Sequence, residues 1–164
     1  MSFKTKFLSF FREFFVYHHK SLEFRAKVFA SMIASNKKDD IVEYEILREV
    51  AKEIYKDQYR IDVLVQTTKE YVEKIINIKS LNIDSLIKEI DREIRKNPQY
   101  ITKINIRHLK KFLVHPDHTN ENTYLLQLRI IEYLKNELRY YNNRKEKKRK
   151  LNTFKKLQKS IKGI

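Results

Sequence analysis

The chain has no cysteine, and its one glycine is Gly163. Without cysteine there are no disulfides, no thiolate nucleophile and no cysteine-ligated zinc. With a single glycine, the backbone turns of a Walker loop, a dinucleotide fold or a Gly-x-Ser-x-Gly elbow cannot be built. Two prolines, Pro98 and Pro116, are too few to punctuate an all-β fold. No run approaches the about 20 apolar residues that cross a bilayer. The first residues lack a clean apolar stretch followed by a small-residue cleavage site, so no signal peptide is expected. These absences predict a non-enzymatic, cytoplasmic chain with no cofactor, no resident metal and no small-molecule substrate.

What is present is charge and helix formers. Charged residues make up 35% of the 164, and Lys, Glu, Ile and Leu dominate, a composition that favours helices. The length fits one domain plus its ends. Apolar residues recur at helical intervals in seven stretches. Residues 3–19 carry Phe3, Phe7, Phe10, Phe11, Phe14 and Phe15. Residues 22–35 put Ala26, Phe29, Ala30 and Ile33 on one face, and residues 41–55 put Leu47, Val50, Ala51 and Ile54 together. Residues 59–77 align Ile61, Leu64, Val65, Thr68, Val72 and Ile75. Residues 83–96 align Ile83, Leu86, Ile87, Ile90 and Ile94. Residues 100–114 use Ile106, Leu109, Phe112 and Leu113, and residues 123–142 use Leu128, Ile131, Leu134 and Leu138. The prediction is an all-α bundle of about seven helices: an aromatic N-terminal helix at 1–20, a helical domain at 21–142 and a basic helical tail at 143–164. Breaks are expected at Asn97-Pro98 and His115-Pro116-Asp117, because a residue before proline is pushed out of the α region.

The charge is not spread evenly. Residues 139–164 hold eleven Lys or Arg against one Glu, ten of the fifteen net positive charges. Arg144, Lys145, Lys147, Lys148, Arg149, Lys150, Lys155 and Lys156 form the cluster. Leu151, Phe154, Leu157 (or Gln158), Ile161 and Ile164 recur under it at intervals of three and four. A basic amphipathic helix of this kind lies on an acidic partner: an anionic membrane surface, a nucleic acid or an acidic protein groove. Tyr140 and Tyr141 beside it could stack on bases. An attachment to the inner face of a membrane is compatible with the cytoplasmic expectation.

Asp39, Asp40 and Glu43 form an acidic group where the helix at 41 begins. The helix dipole favours carboxylates there, and Asp40 is placed to cap. A calcium loop would need alternating oxygen ligands and a central glycine, which are missing. His108, His115 and His118 are too sparse a set for a zinc site and read as surface histidines.

The stretch LEFRAKVFASMIASNKKDDIVEYEILREVAKEIY, residues 22–55, resembles the TerB-like domain of tellurite-resistance and DjlA-type proteins. That family has a helix, a short Ala-Asp-Gly loop, and an acidic run opening the next helix. Ser35-Asn36-Lys37 stands where Ala-Asp-Gly would be, and Ile41-Val42-Glu43-Tyr44-Glu45 opens the next helix. The loop's glycine is replaced and its aspartate displaced to Asp39 or Asp40. The resemblance implies an all-helical interaction domain of two similar halves, with residues 115–121 as the second loop, in a co-chaperone or stress-response setting.

A second, shorter resemblance lies in INIRHLKKFLVHPD, residues 104–117. His115-Pro116-Asp117 is similar to the signature of J-domains, which stimulate the ATPase of DnaK-type chaperones. Arg107, Lys110 and Lys111 precede it, as the basic helix of a J-domain precedes its tripeptide. This implies a protein partner docking at the tip of the turn.

Overall fold

In the computed structural model the described residues are 20–37, 41–117 and 119–162. They form an all-α fold: α1 (Lys20–Ala34), α2 (Ile41–Ile54), α3 (Gln58–Ile76), α4 (Ile83–Lys96), a 3-10 helix (Pro98–Lys103), α5 (Ile106–Lys110) and α6 (Glu121–Lys162). No strand occurs among them. The aromatic stretch at 3–19, together with Asp39, Asp40 and His118, lies outside the described residues.

The core is built around α1. Its sequence reads as amphipathic with one apolar face, but the fold buries it on every side from Ala26 to Ser35. Helices α3, α4 and α6 and the 3-10 segment all pack against it. Small residues at Ala26, Ala30, Ser31 and Ala34 let these neighbours approach. The hydroxyls that burial would strand donate back along the chain, Ser31 to the Val28 carbonyl at 2.7 Å and Ser35 to the Ser31 carbonyl at 2.6 Å. Phe24, Met32 and Ile33 are fully buried, and each such side chain contributes about 1.5–3 kcal/mol.

Around that axis the sequence-level stripes of α2, α3 and α4 fall as expected. Leu47, Val50 and Ala51 of α2 are buried, as are Ile61, Leu64, Thr68 and Val72 of α3 and Leu86, Ile90 and Ile94 of α4. Side chains set the helix starts. Asp57 accepts from the Tyr59 amide at 3.1 Å, and Asn82 accepts from the Ser85 amide at 2.8 Å. Each satisfies a donor that the first turn leaves open. Helix α4 stops at Lys96, before Asn97-Pro98, as the proline requires.

Two expectations are corrected. The single helix at 100–114 is instead a 3-10 helix and the short α5, separated at Ile104-Asn105. Asn105 is extended and its side chain accepts from the Arg107 amide at 2.9 Å, so it starts a new helix where the apolar spacing predicts a continuous one. The segment is held by packing: Ile101 and Ile104 enter the core, Tyr100 lies 5.5 Å from Phe24, and Phe112 lies 5.7 Å from Phe29. The helical stretch read at 123–142 also does not end at residue 142. Helix α6 runs 42 residues through it without interruption, a rod of about 60 Å.

The buried seam of α6 is Gln127, Ile130, Ile131 and Leu134. The sequence stripe starts instead at Leu128 and ends at Leu138, both only half-buried. Gln127 is fully buried and joins three elements. It donates to the Met32 carbonyl at 3.0 Å and to the Phe112 carbonyl at 2.9 Å, and accepts from the Val114 amide at 2.9 Å. Met32 sits in the last turn of α1, where carbonyls lack intrahelical partners.

Candidate functional site

The turn that joins α5 to α6 carries His115, Pro116 and Asp117, all exposed. Pro116 cannot donate an amide hydrogen bond, and the chain from Leu113 to Asp117 is irregular. Asp117 has a defined structural task. Its carboxylate accepts from the Thr119 amide at 2.8 Å, the Thr119 hydroxyl at 2.6 Å, the Asn120 amide at 2.9 Å and the Asn120 side chain at 3.2 Å. The hydrogen bonds from Thr119 foremost, with help from Asn120 and the nearby His115, hold its pKa below the ordinary carboxylate value. An Asx-type turn of this kind delivers the chain into the first turn of α6.

The basic residues before the turn are not arranged as a free cationic face. Helix α5 has five residues. Lys111 reaches Glu53 of α2 at 2.5 Å, His108 reaches the same carboxylate at 2.9 Å, and Arg107 lies 3.4 Å from it. The Lys111 and His108 hydrogen bonds hold the Glu53 pKa below its ordinary value. Lys110 alone of the three predicted cations carries no such bond to Glu53 and is exposed. His108 is buried on Glu53 while His115 is exposed. Among the described residues no group of three His, Asp or Glu side chains comes together to hold a metal.

At the α1–α2 turn, Asn36 donates to Glu43 at 3.2 Å, and Glu43 is buried in the first turn of α2. It ties the two ends of the turn together. Lys37 has φ 53°, the left-handed region in which a side chain costs about 1 kcal/mol relative to glycine.

The basic cluster lies on the second half of α6. Arg144, Lys145, Lys147, Lys148, Arg149, Lys150, Lys155 and Lys156 are all exposed. So are Phe154, at 57%, Ile161, at 72%, Leu151 and Leu157. Arg144 lies over the Tyr140 ring at 5.7 Å, and Glu146 pairs with Lys150 at 2.8 Å. The direction of the apolar stripe follows from helix continuity. Phe154, Leu157 and Ile161 each lie 27 residues beyond a buried seam residue, Gln127, Ile130 and Leu134 respectively. That interval is about 7.5 turns. The tail's apolar side therefore faces away from the bundle, opposite the seam. Sequence periodicity found both stripes but not their opposition, because it read them on two separate helices.

A polar cluster inside the bundle escaped sequence reading. Lys27 of α1 is only 7% exposed and pairs with Glu93 of α4, with Glu89 at 3.4 Å. The Tyr71 hydroxyl of α3 donates to Glu23 at 2.8 Å, and the Lys27 ammonium lies 5.7 Å from the Tyr71 ring. Burial opposes the Lys27 charge. The hydrogen bond to Glu93 and the charges of Glu93, Glu23 and Glu89 outweigh it and raise its pKa. Burial foremost, with the same carboxylates, raises Tyr71 so far that it stays a neutral donor. The only sequence sign was a lysine within the apolar run of α1.

Among the described residues no helix is long and apolar enough to cross a membrane. No family model matches the chain, and no curated protein and no solved structure matches it either.

Proposed function

We propose that this chain is a non-enzymatic, TerB-like interaction module that holds an acidic partner through the basic half of α6. The reading is carried by one observation: about 30 Å of helix stands in solvent with its cations exposed on nearly all sides. Such a density of one sign attracts polyanions over a Debye length and gives binding that weakens with salt. The resemblance of residues 22–55 to TerB-like domains suggests a co-chaperone or stress-response setting. The test is retention of the full chain on a polyanion matrix across a salt gradient, beside a variant with Lys147, Lys148, Arg149 and Lys150 changed to Gln. At about 1 kcal/mol per cation near an anionic surface, the four changes weaken binding about a thousandfold at low salt. Equal elution of both proteins would remove the basis for the proposal.

A second reading, a J-like co-chaperone, draws on the exposure of His115, Pro116 and Asp117 at the α5–α6 turn. It expects the chain to raise the turnover of a DnaK-type ATPase and His115→Gln to abolish the rise. No stimulation at saturating protein rejects it. The pairing of Arg107 and Lys111 with Glu53 leaves that turn less positive than the tail, so the tail reading comes first.

A further inference from the structure

We propose that the outward face of α6 lies flat on an anionic lipid bilayer, with Phe154 and its aliphatic neighbours in the interface and the flanking cations at the headgroup phosphates. This rests on the basic-helix reading above and names its partner.

Three observations select a lipid surface. First, among the described residues the exposed large apolar side chains are concentrated on this one helix: Leu125, Tyr140, Leu151, Phe154, Leu157 and Ile161 all belong to α6, against Ile41, Val42 and Ile78 elsewhere. Contact with nucleic-acid phosphates would use the cations and leave Leu151, Phe154, Leu157 and Ile161 in water. An interfacial helix uses both. Second, Leu125, Tyr140, Phe154 and Ile161 follow one another at 15, 14 and 7 residues, each close to a whole number of turns. They mark one line about 50 Å long. A protein groove that takes a helix typically reads anchors over i to i+7, whereas a flat surface meets the whole line. Third, the described helices pack on the opposite side of α6, through Gln127, Ile130 and Leu134, so a plane can approach the outward face without meeting them.

A second copy of the chain is a poor occupant, because pairing two such tails opposes like charges. The Phe-rich stretch at 3–19 is also net positive, with Lys4, Lys6 and Arg12 against Glu13. Anionic headgroups supply the missing sign. The long stems of Lys147 and Lys150, on the apolar line itself, can lie along the interface with the ammonium in the headgroup layer.

The absence of tryptophan from the chain provides a direct probe. In the full chain, Phe154→Trp places the one tryptophan within the stripe, where selective excitation separates it from the tyrosines. Its emission is expected to shift to the blue with phosphatidylglycerol–phosphatidylcholine vesicles and not with pure phosphatidylcholine vesicles. Changing Leu151, Leu157 and Ile161 to Ser, all exposed and outside the core, is expected to lower vesicle partitioning about a hundredfold while leaving polyanion retention unchanged. No blue shift with anionic vesicles overturns the inference, as does equal partitioning of the serine variant. Duplex DNA that displaces the vesicles from the wild-type chain at equal phosphate concentration also overturns it. If the chain is held by the polyanion matrix but gives no blue shift, the lipid assignment alone has failed. If neither is seen, the basic-helix reading has failed with it.

Discussion

Replacing Gln127 by leucine is expected to cost about 3–4 kcal/mol, although leucine is apolar, similar in size and enters a core. The amide of Gln127 serves the Met32 carbonyl, the Phe112 carbonyl and the Val114 amide. Leucine leaves all three without that partner in a site where the residue is 0% exposed, and each buried unsatisfied group costs about 1–3 kcal/mol. The loss falls on the join between α6, the end of α1 and the chain entering the α5–α6 turn. At about 2–4 °C per kcal/mol for a chain of this size, the melting temperature followed by circular dichroism drops about 10 °C. A melting temperature within about 2 °C of wild type would show that the three partners are satisfied in other ways. Any change in polyanion retention should then follow unfolding and not precede it, because the basic half of α6 lies far from this contact.

The second large effect is expected at Lys27→Ala. Removing one member of a fully buried ion pair costs about 3–5 kcal/mol. The Glu93 and Glu89 side chains are 27% and 38% exposed, so water screens the charges left behind and the loss is expected at about 2 kcal/mol. Here the partners are several. Glu93 and Glu89 lose their cation, and Glu23 loses a nearby positive charge. Lys27→Met, which keeps the stem and its packing, restores only the volume and stays destabilised. The pH dependence has a fixed sign. The Lys27 pKa is raised above 10.5, so its contribution is complete below that value and is lost only as pH climbs through the higher folded pKa. Thermal melts at neutral pH therefore show the full difference between wild type and Lys27→Ala, and melts in strong alkali show it narrowing. A variant that melts with wild type at neutral pH would mean that the desolvation of Lys27 cancels its pairing.

Both residues mark where periodicity stops being a guide. Gln127 and Lys27 are polar letters inside apolar runs, and a polar residue in a helix is ordinarily placed on the solvent side. Only the arrival of Met32, Phe112 and Val114 around one, and of Glu89 and Glu93 beside the other, makes burial affordable. The α1 stripe fell short for a related reason. Ala26, Phe29, Ala30 and Ile33 were legible as one face, but small residues on the remaining faces carry little hydrophobic signal until neighbouring helices close over them. In α4 the reverse holds. Leu86, Ile90 and Ile94 alternate with charged residues so regularly that the buried face could be read directly.

The amino-acid order by itself was enough for the helical class, for the helices at 41–54, 58–76 and 83–96 to within a residue or two, for the stop before Pro98 and for the concentration of positive charge in the last turns. These are local properties: 3.6-residue spacing, proline's missing amide and the count of cations along a short segment. Long-range contacts set the rest. They made α1 the central axis, split 100–114 at Asn105 and drew Arg107, His108 and Lys111 onto Glu53. They also fixed the seam of α6 on one side, and the unbroken helix then turned the tail's apolar stripe to the other, because a rigid rod carries the orientation set by packing at one end through to the end that packs on nothing described.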